Sequence, residues 1–187
     1  MKPFKRKLPA AFTLVELLAV IVIIMLLFGM VLGGLKLAGD KQKNEQTRVQ
    51  LARIANGLEE YKMDKGLYPA TQDGDGSRNS NELFQKLYWD SNADGNGADG
   101  DDNQKIYLSE LDPKNMKLKW LDGTNPGNYK IVDAWGKEIY YRSGKDESGN
   151  SNNSTTNDDF DLWSSGKDGG TKPDPNNKEN RDDVKAH

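Results

Sequence analysis

The chain has 187 residues, with 26 basic and 29 acidic side chains, a net charge of -3, no cysteine and a single histidine. So balanced a charge leaves no global basic field for nucleic acid, and the absence of thiols removes disulfides, thiol catalysis and thiolate metal sites together. The only imidazole, His187, is the last residue, so no Ser-His-Asp arrangement can form elsewhere, and no phosphate-cradling glycine motif followed by lysine occurs. Paired carboxylates can hydrolyse sugars, but the acids here sit in loop-type sequence, and no enzyme activity is expected.

From Ala11 to Leu35 the chain reads AFTLVELLAVIVIIMLLFGMVLGGL. As a helix this apolar run of about 25 residues covers roughly 37 Å, enough to span a bilayer with some tilt. Lys2, Lys5, Arg6 and Lys7 precede it, and a basic flank of this kind stays cytoplasmic, which sends the remainder of the chain outward. A cleaved secretory signal has a shorter apolar core, about 7–15 residues, with its small-residue cleavage site after the core. Here the small residues Ala10 and Ala11 stand before it. A plain single-pass anchor leaves Glu16 unexplained, because an ionised group inside a membrane helix costs roughly 2.5–3.5 kcal/mol on insertion scales and needs a partner. A cut between Ala11 and Phe12 would create an α-amino group at the helix start, free to pair with the Glu16 carboxylate of its own chain or of a neighbour.

The octapeptide AFTLVELL, at 11–18, resembles the prepilin peptidase site of type IV pilins and type II secretion pseudopilins, whose usual form is Gly followed by FTLIELL. The resemblance implies cleavage after Ala11, N-methylation of Phe12 and an assembly role for Glu16. Ala11 departs from the family's Gly but keeps a small residue. Gly33 and Gly34 stand near the place where many relatives have a helix-breaking proline, and at about 1 kcal/mol per glycine they permit bending. Gly29 and Gly33 also have small-xxx-small spacing.

The segment from Lys36 to Lys65 is amphipathic. Leu51, Ile54, Ala55, Leu58 and Tyr61 recur at three- and four-residue spacing, leaving Lys43, Arg48, Arg53, Glu59 and Lys62 for the wet side. Apolar and amphipathic parts together predict one helix of about 50 residues, roughly 75 Å long, ended by Gly66 at C′ with Tyr68 and Pro69 beyond it. DKGLYP, at 64–69, resembles the family's helix exit. The domain organisation is thus a leader at 1–11, a transmembrane helix at 12–35, its amphipathic continuation at 36–66, and an exported domain at 67–187.

NELFQKLYW, at 81–89, predicts a two-turn helix burying Leu83, Phe84, Leu87 and Tyr88, with Ser80 or Asn81 as its cap. An Asp/Gly/Asn-rich stretch follows from Asp90 to Asn103. Asp90, Asn92, Asp94 and Gly95 fit the opening of an EF-hand-type calcium loop, with Asp101 in place of Glu at the twelfth position, but no clear helix follows, and a solvated insertion is the competing reading. Strands are predicted at Lys105–Leu108, Lys117–Leu121, Tyr129–Val132, Glu138–Arg142 and Asp159–Ser164, the last three forming a small antiparallel sheet on the long helix. The Ser/Asn-rich segment 145–157 reads as a loop.

VDAWGKEIYYRSG and the later DFDLWSSGKDGG resemble the carboxy-terminal half of the major (G-type) pseudopilin, with Ala134 in place of a proline. RDDV, at 181–184, resembles that family's terminal Asp-Asp-Ile. The resemblance implies an α+β pilin-like fold, a long helix packed on a small antiparallel sheet with long loops. It also implies a Ca2+ ion held by Leu162 and Ser164 oxygens with Asp168, Asp182 and Asp183, and hard oxygen donors suit that ion. The function expected is a subunit of a periplasmic pseudopilus in type II protein secretion. It would be processed by prepilin peptidase in the inner membrane, with its N-terminus cytoplasmic and its C-terminal domain periplasmic. Its partners would be copies of itself, other pseudopilins and the inner-membrane secretion platform. The alternatives are a type IV pilus pilin, which usually carries a disulfide-bounded loop, and a membrane-anchored calcium-binding protein.

Overall fold

The computed structural model describes residues 12–71, 78–91, 97, 104–146, 148–172 and 177–186, with the side chains of 30–37, 116 and 179 excepted. The chain divides into two units, Met1–Lys41 and Gln42–His187. The architecture is α+β. Helix α1, Leu14–Lys65, has 52 residues, and Lys62 and Lys65 fall in its last turn, where cations complement the helix dipole. Gly66 ends it: its φ is +84°, and its N–H reaches the Lys62 carbonyl at 2.8 Å, the left-handed cap that glycine takes without a Cβ penalty.

In the second unit, the predicted stripe is what packs. Leu51, Ile54 and Leu58 are fully buried, and Ala55 and Tyr61 pack against the same core. Two polar residues extend the stripe towards the N-terminus, Thr47 and Gln50, both buried. Gln50 Nε2 donates to the Val132 carbonyl at 2.8 Å, and Thr47 Oγ1 accepts the Ala134 N–H at 3.2 Å. Buried polar side chains of this kind fix one backbone against another because leaving them unpaired is costly.

Helix α2, Ser80–Phe84, continues into a wide π-type turn at Gln85–Trp89. Leu83, Phe84, Leu87 and Tyr88 are buried as predicted. The capping differs from expectation. Asn79, in the left-handed region at φ 52°, precedes the helix without a side-chain cap. Ser80 instead donates to Glu138 at 2.8 Å, and Asn81 to the Tyr129 carbonyl at 2.6 Å, so both residues are spent on tertiary contacts.

The strands are shorter than the sequence suggests, and they form two sheets. β1, Leu121–Asp122, pairs antiparallel with β2, Lys130–Ile131. β3, Tyr140–Ser143, pairs with β4, Phe160–Ser164, and β4 with β5, Val184–Lys185, in the order β3-β4-β5. The segment 129–132 therefore belongs to the two-stranded sheet, and meets the chain entering β3 through the Val132–Glu138 bridge and the Lys130–Glu138 ion pair. Lys105–Leu108 is not a strand: the Tyr107 and Leu108 N–H groups both turn to the Leu87 carbonyl. Met116–Leu118 is a 3-10 turn.

The DAWG turn after β2 links these parts. Asp133 is 3% exposed. Its Oδ1 accepts the Trp135 and Lys137 N–H groups at 2.8 Å each, and its Oδ2 accepts the Ser164 hydroxyl. Asp133→Ala is expected to lower the urea midpoint of the detergent-solubilised chain, at about 1–3 kcal/mol for each donor left buried without a partner. Asp133→Asn, which keeps an acceptor oxygen, should lose less. An Ala variant as stable as the unsubstituted chain would show that this aspartate links nothing.

Candidate functional site

The start of α1 is a reciprocal cap. Thr13 precedes the first helical residue, and its backbone N–H and its hydroxyl both donate to Glu16 Oε2 at 2.9 Å. The Glu16 N–H returns to the Thr13 hydroxyl at 3.3 Å. This is the capping box, which satisfies helix-start donors with the side chains three residues apart. The carboxylate that stands out in the sequence as an acid without a partner is thus held locally, at the positive end of the helix dipole, beside the residue that cleavage would make the first. The spacing Thr-x-x-Glu ahead of an apolar run is the sequence signal for it. Ala11 lies outside the described residues, and Phe12 is 83% exposed.

The apolar side chains from Phe12 to Phe28 are exposed on every face of the helix. A helix apolar all round is one made for burial in lipid or among its own kind. Among the described residues no helix is long and apolar enough to cross a membrane. The described side chains of this run stop at Gly29, whereas the apolar sequence continues to Leu35.

The acidic loop after β4 is organised mainly by hydrogen bonds. The Leu162 carbonyl accepts the Ala186 N–H at 3.0 Å, and the Ser164 hydroxyl, besides donating to Asp133, accepts the Gly166 N–H at 3.0 Å. Asp182 Oδ2 accepts the Asp168 N–H at 2.9 Å, which joins the two ends of the long excursion, and Asp168 Oδ1 accepts the Gly170 N–H at 2.7 Å. Gly166 adopts φ +63°, and a Cβ there would run into the Asp182 carbonyl, so the two strands of the loop close on a glycine. Asp183 Oδ2 accepts the Thr171 hydroxyl at 2.8 Å, while its Oδ1 is buried with no hydrogen-bond partner. Burial pushes the Asp183 carboxyl above the usual range; the Thr171 bond opposes this, and the negative Asp182 and Asp168 add to it. The donors are all hard oxygens, but among the described residues no three acidic or imidazole side chains are gathered tightly enough to hold a metal ion. Of the earlier acidic stretch, Asn92, Asp94 and Asp101 lie outside the described residues. Asp90 begins it with its N–H on the Gln85 carbonyl. The base of that stretch is pinned by Ser91 donating to the Lys105 carbonyl at 2.8 Å and by Gln104 donating to the Tyr88 and Trp89 carbonyls.

Residues 6–32 match the family described as the prokaryotic N-terminal methylation motif. The motif marks a type IV pilin-like protein. It indicates processing by a prepilin peptidase, anchoring in a membrane and assembly with other pilin-like subunits, and the α+β architecture accords with the pilin-like fold. No curated protein and no solved structure matches the chain. The match spans the end of the leader from Arg6, Ala11, Phe12, the Thr13–Glu16 cap and most of the apolar run, so it covers the place where a carboxylate is held at the threshold of an apolar helix. Thr47, Gln50 and Asp133 carry no comparable signal in the sequence. Thr47 and Gln50 are two polar interruptions on a helix face, and only burial reveals their roles.

Proposed function

We propose that this pilin-like protein is the major-type subunit of a periplasmic pseudopilus in type II protein secretion, a structural and non-catalytic role. The observation that carries the assembly reading is the methylation signal running straight into a helix whose first turn clamps Glu16. Prepilin peptidase cuts after Ala11, leaving the Phe12 amine, which is methylated. The chain rests in the inner membrane with its N-terminus cytoplasmic and its C-terminal domain periplasmic. The Phe12 amine of one subunit and the Glu16 carboxylate of the next then neutralise each other in a low-dielectric setting, where either charge alone would be costly. Thr13 keeps that carboxylate at the helix start. The apolar side chains of Phe12 to Leu35 exchange lipid for neighbouring helices as subunits enter the filament, with small residues allowing close approach.

Support for the pseudopilus over a surface pilus comes from DAWG and DLWSSGKDGG, which resemble the major pseudopilin, and from the absence of cysteine. Ca2+ at the Leu162–Ser164, Asp168 and Asp182–Asp183 loop is part of the same reading. An oxygen-seeking cation would engage the inner Asp183 oxygen and relieve the repulsion among the three aspartates, at the cost of regrouping their side chains.

Glu16→Ala should insert in the membrane as before and lose at least about tenfold in filament yield, measured by shearing and pelleting; a normal yield would remove Glu16 from assembly. For the ion, melting of the detergent-solubilised chain in excess calcium against chelator should show a higher midpoint with calcium, since binding at a hundredfold over Kd adds about 2.7 kcal/mol. The gain should vanish in Asp182→Ala and survive in Asp94→Ala. The reverse pattern would move the site to the 90–103 stretch, and an unchanged midpoint would dismiss a structural ion.

A further inference from the structure

Two surface features, at opposite ends of the soluble part of α1, are used neither by the helix start nor by the acidic loop. The first is an open groove of about 730 Å³ between the α1 face that carries Val49, the segment 117–120 and the DAWG turn. Its apolar surface comes from Val49, 59% exposed, and Leu118, 53% exposed, together with Trp120 and Trp135. Lys117 and Lys119 stand at its edge, both exposed, and the backbone at Lys119 is in the left-handed region at φ 52°. Glu45 and the buried Asp133 are the acids that line it. The second feature is an apolar shoulder at the helix exit, Met63, 76% exposed, and Leu67, 36% exposed. Charges of both signs surround it, with Lys62 beside Met63 and Lys65 between the two apolar residues. Glu60 lies one turn before Met63, and Asp158 and Asp159 are exposed close by, Asp159 reaching Lys62 at 3.3 Å.

An apolar groove with Lys117 and Lys119 exposed at its edge is thus matched by an exposed apolar shoulder flanked by Glu60 and Asp158, with Asp159 shared with Lys62. Val49 and Met63 are separated by about 21 Å along the helix, so one chain cannot fill its own groove. Two different patches that fit each other make a heterologous contact, which repeats head to tail instead of closing on a pair. We propose that the groove beside Val49 and Trp135 receives the Met63–Leu67 shoulder of a second copy of this chain, with Lys117 and Lys119 facing Glu60, Asp158 and Asp159. This contact rests on the filament reading and adds to it a soluble-domain joint that sets which copies touch and with what axial offset. Opposite charges at its edge favour the correct register and penalise like-end pairing.

The chain contains no cysteine, so a disulfide can be placed cleanly. Full-length protein carrying Leu118→Cys and Met63→Cys, expressed with its prepilin peptidase and secretion machinery and oxidised mildly, should give a ladder of disulfide-linked multimers in the sheared filament fraction. Each single-cysteine chain should give no ladder. Wild-type filaments together with double-cysteine filaments that lack the ladder, that stop at dimers, or that link to a different protein would overturn the joint and leave the filament reading standing. Absence of wild-type filaments would overturn both. If the double-cysteine chain fails to accumulate, Lys117→Glu with Lys119→Glu decides. Filament yield should fall about tenfold, the equivalent of about 1.4 kcal/mol, and recover on adding Glu60→Lys with Asp159→Lys. An unchanged yield would overturn the joint.

Discussion

Helix α1 must serve two solvents with one backbone. Its N–H and C=O groups are satisfied within the helix, which is the condition for a chain to lie in lipid at all, so side chains alone decide what each part does. From Phe12 to Phe28 they are apolar on every side, with Glu16 as the one charged residue, and that charge is handled at the helix start, where Thr13 shares donors with it. In the second unit the same helix narrows to a single buried stripe, Leu51, Ile54 and Leu58, and that stripe is the floor on which the small sheets and α2 are laid. The change from all-round to one-sided hydrophobicity marks where a subunit stops being a membrane anchor and becomes a folded domain.

The soluble domain has little regular structure, with strands of two to five residues, so side-chain hydrogen bonds do work that sheet ladders do elsewhere. Asp133 is the clearest case. Its one oxygen closes the DAWG turn and the other takes the Ser164 hydroxyl, which in turn accepts the Gly166 N–H. Thr47 and Gln50 tie the same turn to α1. A path of direct hydrogen bonds therefore runs from the long helix through the turn to the acidic loop, in a chain that has no disulfide to hold that loop.

What was legible in the sequence follows from how each feature is encoded. The long helix, its glycine stop and its buried stripe come from periodicity and backbone conformation, which a single sequence carries locally. Lys105–Leu108 has a strand-like composition, yet its N–H groups are claimed by Leu87 from the wide turn, a tertiary outcome. β5 is invisible because Val184 is its only buried side chain, among charged neighbours. Glu16 was conspicuous for its charge, and that charge hid its simpler use as the partner of Thr13. For the acidic loop, the residue types point to oxygen ligands. How Asp168, Asp182 and Asp183 are placed is a tertiary outcome, each accepting its own hydrogen bond, from the Gly170 N–H, the Asp168 N–H and the Thr171 hydroxyl.

The cap begins at Thr13, one residue beyond the bond proposed for cleavage. If Glu16 is held at the helix start to receive a neighbour's amine, that amine must exist, which requires the chain to be cut between Ala11 and Phe12. The intact mass of the protein purified from cells with active prepilin peptidase tests this most directly. The mass should be that of a chain beginning at Phe12 with one added methyl group, and a product that still carries Met1 and the basic leader would contradict it.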